Sequence, residues 1–294
     1  MPRAETRTTR WILVAMSLSA LTLLDARFPV SGPSLSALAP ERVTSPRLYV
    51  FDLGKLTIPD PKNFGFSKEE LATTDLVVAG YLIVHPKGAL QWDAGVVPDD
   101  EVGTAARGAE RAEGHRLRDE LKRIGYQPSD VSFLGLSHYH SDHTANANEF
   151  KGATWLVRQS ERDLMFAEKP PGIMNQGHFS ELKTAKTILI DKDDYDVFGD
   201  GTVVIKSTPG HTPGHQVLVV KLPKSGTIVL AGDLYHYPEE RRAQKFPTFE
   251  FNVEQSRGSR AQVEDFVKRN NAQLWIEHDA ANHATLKRSP AYYE

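Results

Sequence analysis

The segment Ser137–Asn146, SHYHSDHTAN, places His138, His140, Asp142 and His143 within six consecutive positions. Imidazole nitrogens and carboxylate oxygens are the donors that borderline and hard divalent cations accept. His138 and His140 follow VSFLGLS (Val131–Ser137), which reads as a strand. Alternate side chains of an extended segment share a face, so both imidazoles can reach one metal. Asp142, His143 and Thr144 read as the start of a helix, with Ser141 or Asp142 as its N-cap. The chain turns there and can aim Asp142 and His143 at a second point close to the first. Burying so many polar rings without partners would be costly, which sets metal ligation above a solvated polar loop.

Three later segments end strands in the same way. STPGHTPGH (Ser207–His215) leaves a strand through Pro209 and Gly210 and presents His211, while His215 opens the next strand and reads as a supporting residue. VLAGDLYH carries Asp233 at a strand tip, and WIEHD brings His278 with Asp279 beside it. Each is weak alone; together they gather hard or borderline donors at separate strand ends. His85 reads as structural and His115 as exposed on a helix, and His178 and His283 carry no role.

The elements that must hold these residues are mostly strands. Short β-rich runs bounded by turn residues are expected at 47–53, 76–85, 89–95, 131–137, 153–158, 186–190, 202–208, 215–222, 227–233 and 272–279. Pro86, Lys87 and Gly88 form a turn between the second and third runs. Helical spacing of Leu117, Leu121 and Ile124 predicts a helix over 113–125, and another is expected over 259–270. Strands in consecutive runs with helices between the groups favour an α+β fold of sheet on sheet covered by helices.

The chain has 294 residues, a formal net charge of −3, and 40% hydrophobic and 25% charged residues. That balance is ordinary for a soluble globular protein and gives no argument for nucleic-acid binding. The absence of cysteine excludes disulfides, thiolate nucleophiles and Cys-ligated zinc. The N-terminus differs: Arg3, Arg7 and Arg10 precede an uncharged apolar run, Trp11–Leu24. This is the pattern of a secretory signal, and the run is shorter than the roughly 20 residues of a transmembrane helix. Ala37–Ala39 offers a cleavage site. Residues 1–39 are therefore expected to be a signal peptide or N-terminal anchor and 40–294 a single domain. That domain would be periplasmic or secreted, without stable insertion in a membrane.

HYHSDH, PGH, GD and EHD in this order resemble the metallo-β-lactamase-fold superfamily, over nearly the whole chain from YLIVHPKGALQWDAG onward. The resemblance implies a four-layer αββα sandwich with metals at one edge of the two sheets. It implies that His138, His140 and His211 bind one metal, that Asp142, His143 and His278 bind a second, and that Asp233 bridges them. Asp93, in QWDAG, matches a position that orients the metal-binding loop. Within the superfamily the chain looks most like the N-acyl-homoserine lactonases, on YVFDLGKLTIPD, AGDLYHYPE and ATLKRSPAYY. Many of these carry a tyrosine three residues after the bridging aspartate; here His236 stands there, between Tyr235 and Tyr237.

The implied reaction is hydrolysis of the lactone ring by a metal-bridging hydroxide, since two adjacent divalent ions lower the pKa of a shared water. Two ions are implied, zinc first, with cobalt, manganese or iron also compatible with the ligands. Asp142 would carry a proton, and His236 or Tyr235 would stabilise a substrate oxygen. The acyl chain needs apolar walls, for which Phe246–Asn252, Pro170–Phe179 and Asn63–Phe66 are candidates; the same clusters could instead form core or a homodimer interface. Two other readings stay open: a same-fold hydrolase of phosphotriesters, aryl esters or β-lactams, and a non-catalytic secreted metal-binding protein.

Overall fold

The computed structural model describes residues 43–103 and 111–294, which fall in one compact unit; the leader expected over 1–39 lies outside the described residues. Among the described residues no helix is long and apolar enough to cross a membrane. The strands are β1 (Arg47–Thr57), β2 (Asp75–His85), β3 (Gly88–Trp92), β4 (Arg111–Gly114), β5 (Phe133–Gly135), β6 (Thr154–Val157) and β7 (Thr187–Leu189). They continue with β8 (Asp194–Asp196), β9 (Val203–Ser207), β10 (Gln216–Leu222), β11 (Gly226–Leu230), β12 (Gln273–Trp275) and β13 (Tyr292–Tyr293). The α-helices are α1 (Leu117–Arg123), α2 (Ser141–Thr144), α3 (Gln159–Met165), α4 (Pro238–Ala243), α5 (Val253–Asn270) and α6 (Ala280–Thr285).

One sheet runs β13-β1-β2-β3-β5-β6-β7, with β4 also on β1; the other runs β12-β11-β10-β9-β8. The hairpins β1/β2 and β2/β3 are antiparallel, whereas β3/β5, β5/β6, β6/β7 and β11/β12 are parallel. The period-two alternation of side chains sorts each strand between two cores. Leu48 and Val50 of β1 face Leu218, Val220 and Ile205 of the other sheet, while Tyr49, Phe51 and Leu53 pack outward with Leu117 and Leu121 of α1 and Met165 of α3. On the second sheet Val217 and Val219 turn outward to Val263 of α5. The order helix, sheet, sheet, helix is thus a consequence of strands buried on both faces, which is also why VLVV in β10 is apolar without alternation. Each such fully buried side chain contributes about 1.5–3 kcal/mol.

Local differences from expectation have local causes. The helix expected over 113–125 is confined to Leu117–Arg123, because residues 111–114 pair with β1 instead. His115 therefore lies on the connecting loop, exposed as expected. α5 starts earlier than expected, at Val253, because the Asn252 side chain caps it by accepting the Gln255 N–H at 3.0 Å. α2 has His140 at its N-cap position rather than Ser141 or Asp142, and no side chain caps it.

Candidate metal centre and substrate pocket

The carboxyl ends of β3, β5, β9, β11 and β12 meet at one edge of the two sheets. β5 delivers His138 and His140, α2 carries Asp142 and His143, the loop after β9 carries His211, and Asp233 and His278 follow β11 and β12. One donor atom from each of His138, His140, His211 and Asp233 lies within 4.8 Å of the others, as do donors of Asp142, His143 and His278. Asp233 joins the groups. Its Oδ2 lies 3.4 Å from both His138 Nε2 and His211 Nε2. Its Oδ1 lies 3.1 Å from His143 Nε2 and 3.0 Å from His278 Nε2. The sequence-expected ligands are all brought together, with Asp233 lying between the two groups.

A layer of partners holds the far side of the rings. Asp93 adopts φ 56°, a left-handed conformation that aspartate tolerates better than most residues. Its Oδ1 accepts the Ser137 N–H at 2.6 Å, and its Oδ2 lies 3.2 Å from His143 Nδ1. His278 Nδ1–H donates to the Val77 carbonyl at 2.7 Å, and His211 Nδ1 lies 3.0 Å from Glu250 Oε1. His215 is supporting, as expected: its Nδ1–H reaches the Thr208 carbonyl, and its Nε2 accepts the Asp233 N–H at 3.1 Å. Burial, with the His211 charge, pushes His215 down to about 3, so it stays a neutral acceptor. Gly232, at φ +48°, lets the chain pass: a Cβ there would lie 2.8 Å from Ser137 Cβ.

Sequence reasoning missed three carboxylates. Glu250 sits in FPTFEFN, where an acid between phenylalanines was a usable signal. Glu277 neighbours His278 and lies 3.5 Å from His143 Nδ1; burial first, then the Asp93 and Asp233 charges, push it well above its usual range. Glu161 on α3 accepts the Tyr139 N–H at 2.8 Å, the Gly214 N–H at 2.8 Å and the Thr212 hydroxyl at 2.9 Å. It thereby joins the loop of His138 and His140 to the loop of His211, and nothing in its sequence context announces that.

A cavity of about 790 Å³ opens over the centre, with His140, Asp142, Asp233 and His236 at its floor. Leu56, Ile58, Phe64, Leu76, Met174 and Phe249 supply an apolar wall. Each expected wall segment contributes, yet Phe66 and Phe179 are core and Phe251 is 58% exposed. His178 lines the cavity as well. His236 Nε2 lies 3.2 Å from Asp233 Oδ2, and its ring meets Phe64 and Phe249 edge-on. Burial would lower His236, but Glu240 and Asp233 outweigh it and raise it to about 10.

Tyr235 corrects an expectation. Its backbone is extended, so it points opposite to His236. Its hydroxyl donates to Glu264 at 3.1 Å and its ring packs in the outer core with Val217 and Val263. It does not reach the cavity. Tyr237 packs against Phe64 and Phe66.

The residues fit a divalent metal. His138 Nε2, His143 Nε2, His278 Nε2 and Asp233 Oδ1 are buried without a hydrogen-bond partner. Each such orphan costs about 1–3 kcal/mol, a penalty that a bound cation removes. Convergent nitrogen and oxygen donors without sulfur suit zinc, and equally cobalt, manganese or iron.

The model of the Metallo-beta-lactamase superfamily matches residues 73–273. An N-acyl homoserine lactonase, AttM, of Azorhizobium caulinodans is 30% identical over 269 residues, covering 86% of this chain and 100% of that protein. The N-acyl homoserine lactonase AiiA of Bacillus thuringiensis subsp. kurstaki is 27% identical over 228 residues, covering 74% of this chain and 87% of its own. A solved N-acyl homoserine lactone hydrolase with the product N-hexanoyl-L-homoserine at its catalytic metal centre superposes with a TM-score of 0.69 at 25% identity. It covers 85% of this chain and 100% of its own.

Proposed function

The chain belongs to the metallo-β-lactamase superfamily, and from that premise we propose that it is a two-metal hydrolase opening the lactone ring of N-acyl-homoserine lactones. The observation that carries the metal count is Asp233, whose two oxygens each face a different donor group. The relatives' activity and the apolar wall beside the centre carry the substrate class. We assign His138, His140 and His211 to one ion, Asp142, His143 and His278 to the other, and Asp233 to both, with zinc as the native metal.

A pair of divalent ions supplies a water of lowered pKa and an electrophile for the carbonyl oxygen. The chain's own residues do the rest. The apolar wall takes the acyl chain and excludes bulk water, orienting the ring over the floor of the cavity. Asp142, on that floor and only partly buried, takes the proton released on attack and returns it to the leaving alkoxide. His236 presents Nε2 to the same space and donates to a substrate oxygen. A donor fixed before the reaction is worth about 2.7–4 kcal/mol where it meets developing charge.

The test is turnover of a panel: short- and long-chain homoserine lactones, a phosphotriester, an aryl ester and a β-lactam. Opening of the lactones supports the reading; intact lactones beside turnover of another class would overturn it. His140→Ala and Asp142→Asn should each lose nearly all activity and part of the metal; full turnover in either removes these assignments. Export to the periplasm or medium is part of the same proposal, supported by the leader-like composition of 1–39. N-terminal sequencing of the protein from fractionated cells checks it, and a cytoplasmic chain beginning at Met1 refutes it.

A further inference from the structure

Behind His236 lies a buried carboxylate that the metal centre does not use. Glu240, in the first turns of α4, is fully buried, and Arg260 of α5 is 2% exposed. Glu240 Oε1 lies 3.2 Å from His236 Nδ1 without making a hydrogen bond, while Oε2 accepts from His236 Nδ1–H at 3.5 Å, from the His236 backbone N–H at 3.2 Å and from Arg260 Nη2–H at 3.0 Å. Arg260 is itself fixed: Nε–H donates to the Leu234 carbonyl at 2.8 Å and Nη1–H to the Lys245 carbonyl at 2.6 Å. The guanidinium also lies over the rings of Tyr235 and Phe246, which closes it off from water. His236 is thus gripped on its far edge by Glu240, and its other edge, Nε2, faces Asp233 and the cavity.

A buried charge pair is costly unless the geometry is good and the remaining donors are satisfied. Arg260 meets that condition and Glu240 meets it through Oε2, while Oε1 is left beside His236 Nδ1 without a hydrogen-bond partner; a salt bridge alone would not need to touch His236 twice. The hydrogen bond at one imidazole nitrogen decides what the other nitrogen can do. A phenol needs no such support, because its O–H has only one end. An imidazole in that place can turn over, and a fixed acceptor behind it prevents that.

We propose that Glu240, backed by Arg260, is a positioning residue that holds the Nδ1–H of His236 and so keeps the Nε2 edge aimed at the substrate. The proposal rests on His236 acting on the substrate as described above. In Glu240→Gln the amide oxygen is claimed by Arg260 and the His236 N–H, so the amide NH₂ takes the Oε1 place 3.2 Å from Nδ1 and repels the Nδ1–H that the carboxylate attracts.

The experiment is a double-mutant cycle of wild type, Glu240→Gln, His236→Gln and the double variant, with N-hexanoyl-homoserine lactone as substrate. Glu240→Gln should lower kcat roughly 10- to 100-fold with KM and metal content near those of the wild type. It should cost nothing further in the His236→Gln background, because the two act as a unit. Crystal structures should show the His236 ring with Nε2 toward Asp233 in the wild type and turned out of that position in Glu240→Gln. An equal loss in both backgrounds, or an unmoved His236 ring, would overturn the proposal. Should Glu240→Gln not fold, Glu240→Asp keeps the charge for Arg260 while drawing the carboxylate back from His236, and the same cycle applies. Wild-type enzyme that leaves the lactone intact would sink the lactone reading; the position of the His236 ring decides the role of Glu240 independently.

Discussion

At the scale of single residues, the donor set was legible because ligation depends on side-chain type, and imidazoles clustered at strand ends have few other uses. The direction of a side chain was not legible in the same way. Tyr235 and His236 are adjacent and chemically both plausible as donors, and only the extended backbone between them decides. It sends the tyrosine to Glu264 and the histidine to the cavity. His236 is the residue on which the reaction's rate should depend most without metal being lost, since it belongs to neither donor group. His236→Ala should lower kcat roughly 10²- to 10³-fold, the usual cost of one preorganised donor, with metal content unchanged by elemental analysis. Tyr235→Phe, which removes only a bond to Glu264, should leave kcat near the wild-type value. The reverse order of effects in steady-state assays would return the role to the tyrosine.

At the scale of elements, the strands that end at the centre could be placed from their apolar runs and turn residues, but the ties between loops could not. β8 and β13 also escaped notice: each is only two or three residues long and rich in polar or edge-type side chains, below what a period-two pattern can show. Glu161 is the clearest case of a tie invisible in sequence, since its partners are backbone groups of Tyr139 and Gly214 and the hydroxyl of Thr212. Burial pushes it up to about 7, against the hydrogen bonds that favour its charged form. Because its folded value exceeds its unfolded one, its contribution to stability is fully present below about pH 4.5 and is lost as pH rises through about 7. The shift corresponds to roughly 3 kcal/mol. Chemical denaturation of the metal-free protein should therefore show stability falling between pH 4.5 and 7.5 by up to that amount, with the slope reduced in Glu161→Gln. Glu161→Ala should in addition weaken metal retention roughly 10- to 100-fold by freeing the two ligand loops. A pH slope identical in wild type and Glu161→Gln would refute the assignment.

At the scale of the whole molecule, the layering was foreseeable because doubly buried strands read as continuous apolar runs, and sheet on sheet with helices outside is one of few ways to cover them. The assembly of one site from both sheets was not foreseeable from pattern alone; it came with the family resemblance. His138, His140 and His143 issue from the first sheet, and His211, Asp233 and His278 from the second. The two sheets share an apolar core, but at this edge they meet through buried donors that lack hydrogen-bond partners among the described residues. Metal should therefore act as a clasp between the sheets as well as in catalysis. A ligand at 1,000 times its Kd stabilises the folded state by about 4 kcal/mol per site. For a domain of this size each kcal/mol moves Tm by about 2–4 °C. Removal of metal by a chelator should lower Tm by roughly 10 °C or more and abolish turnover, and addition of two equivalents of zinc should restore both. Titration of the metal-free protein should show the Tm gain arriving in two increments, because each donor group alone draws ligands from both sheets. A chelated protein that melts at the temperature of the untreated one would show that the apolar core alone joins the sheets and that metal serves only the reaction.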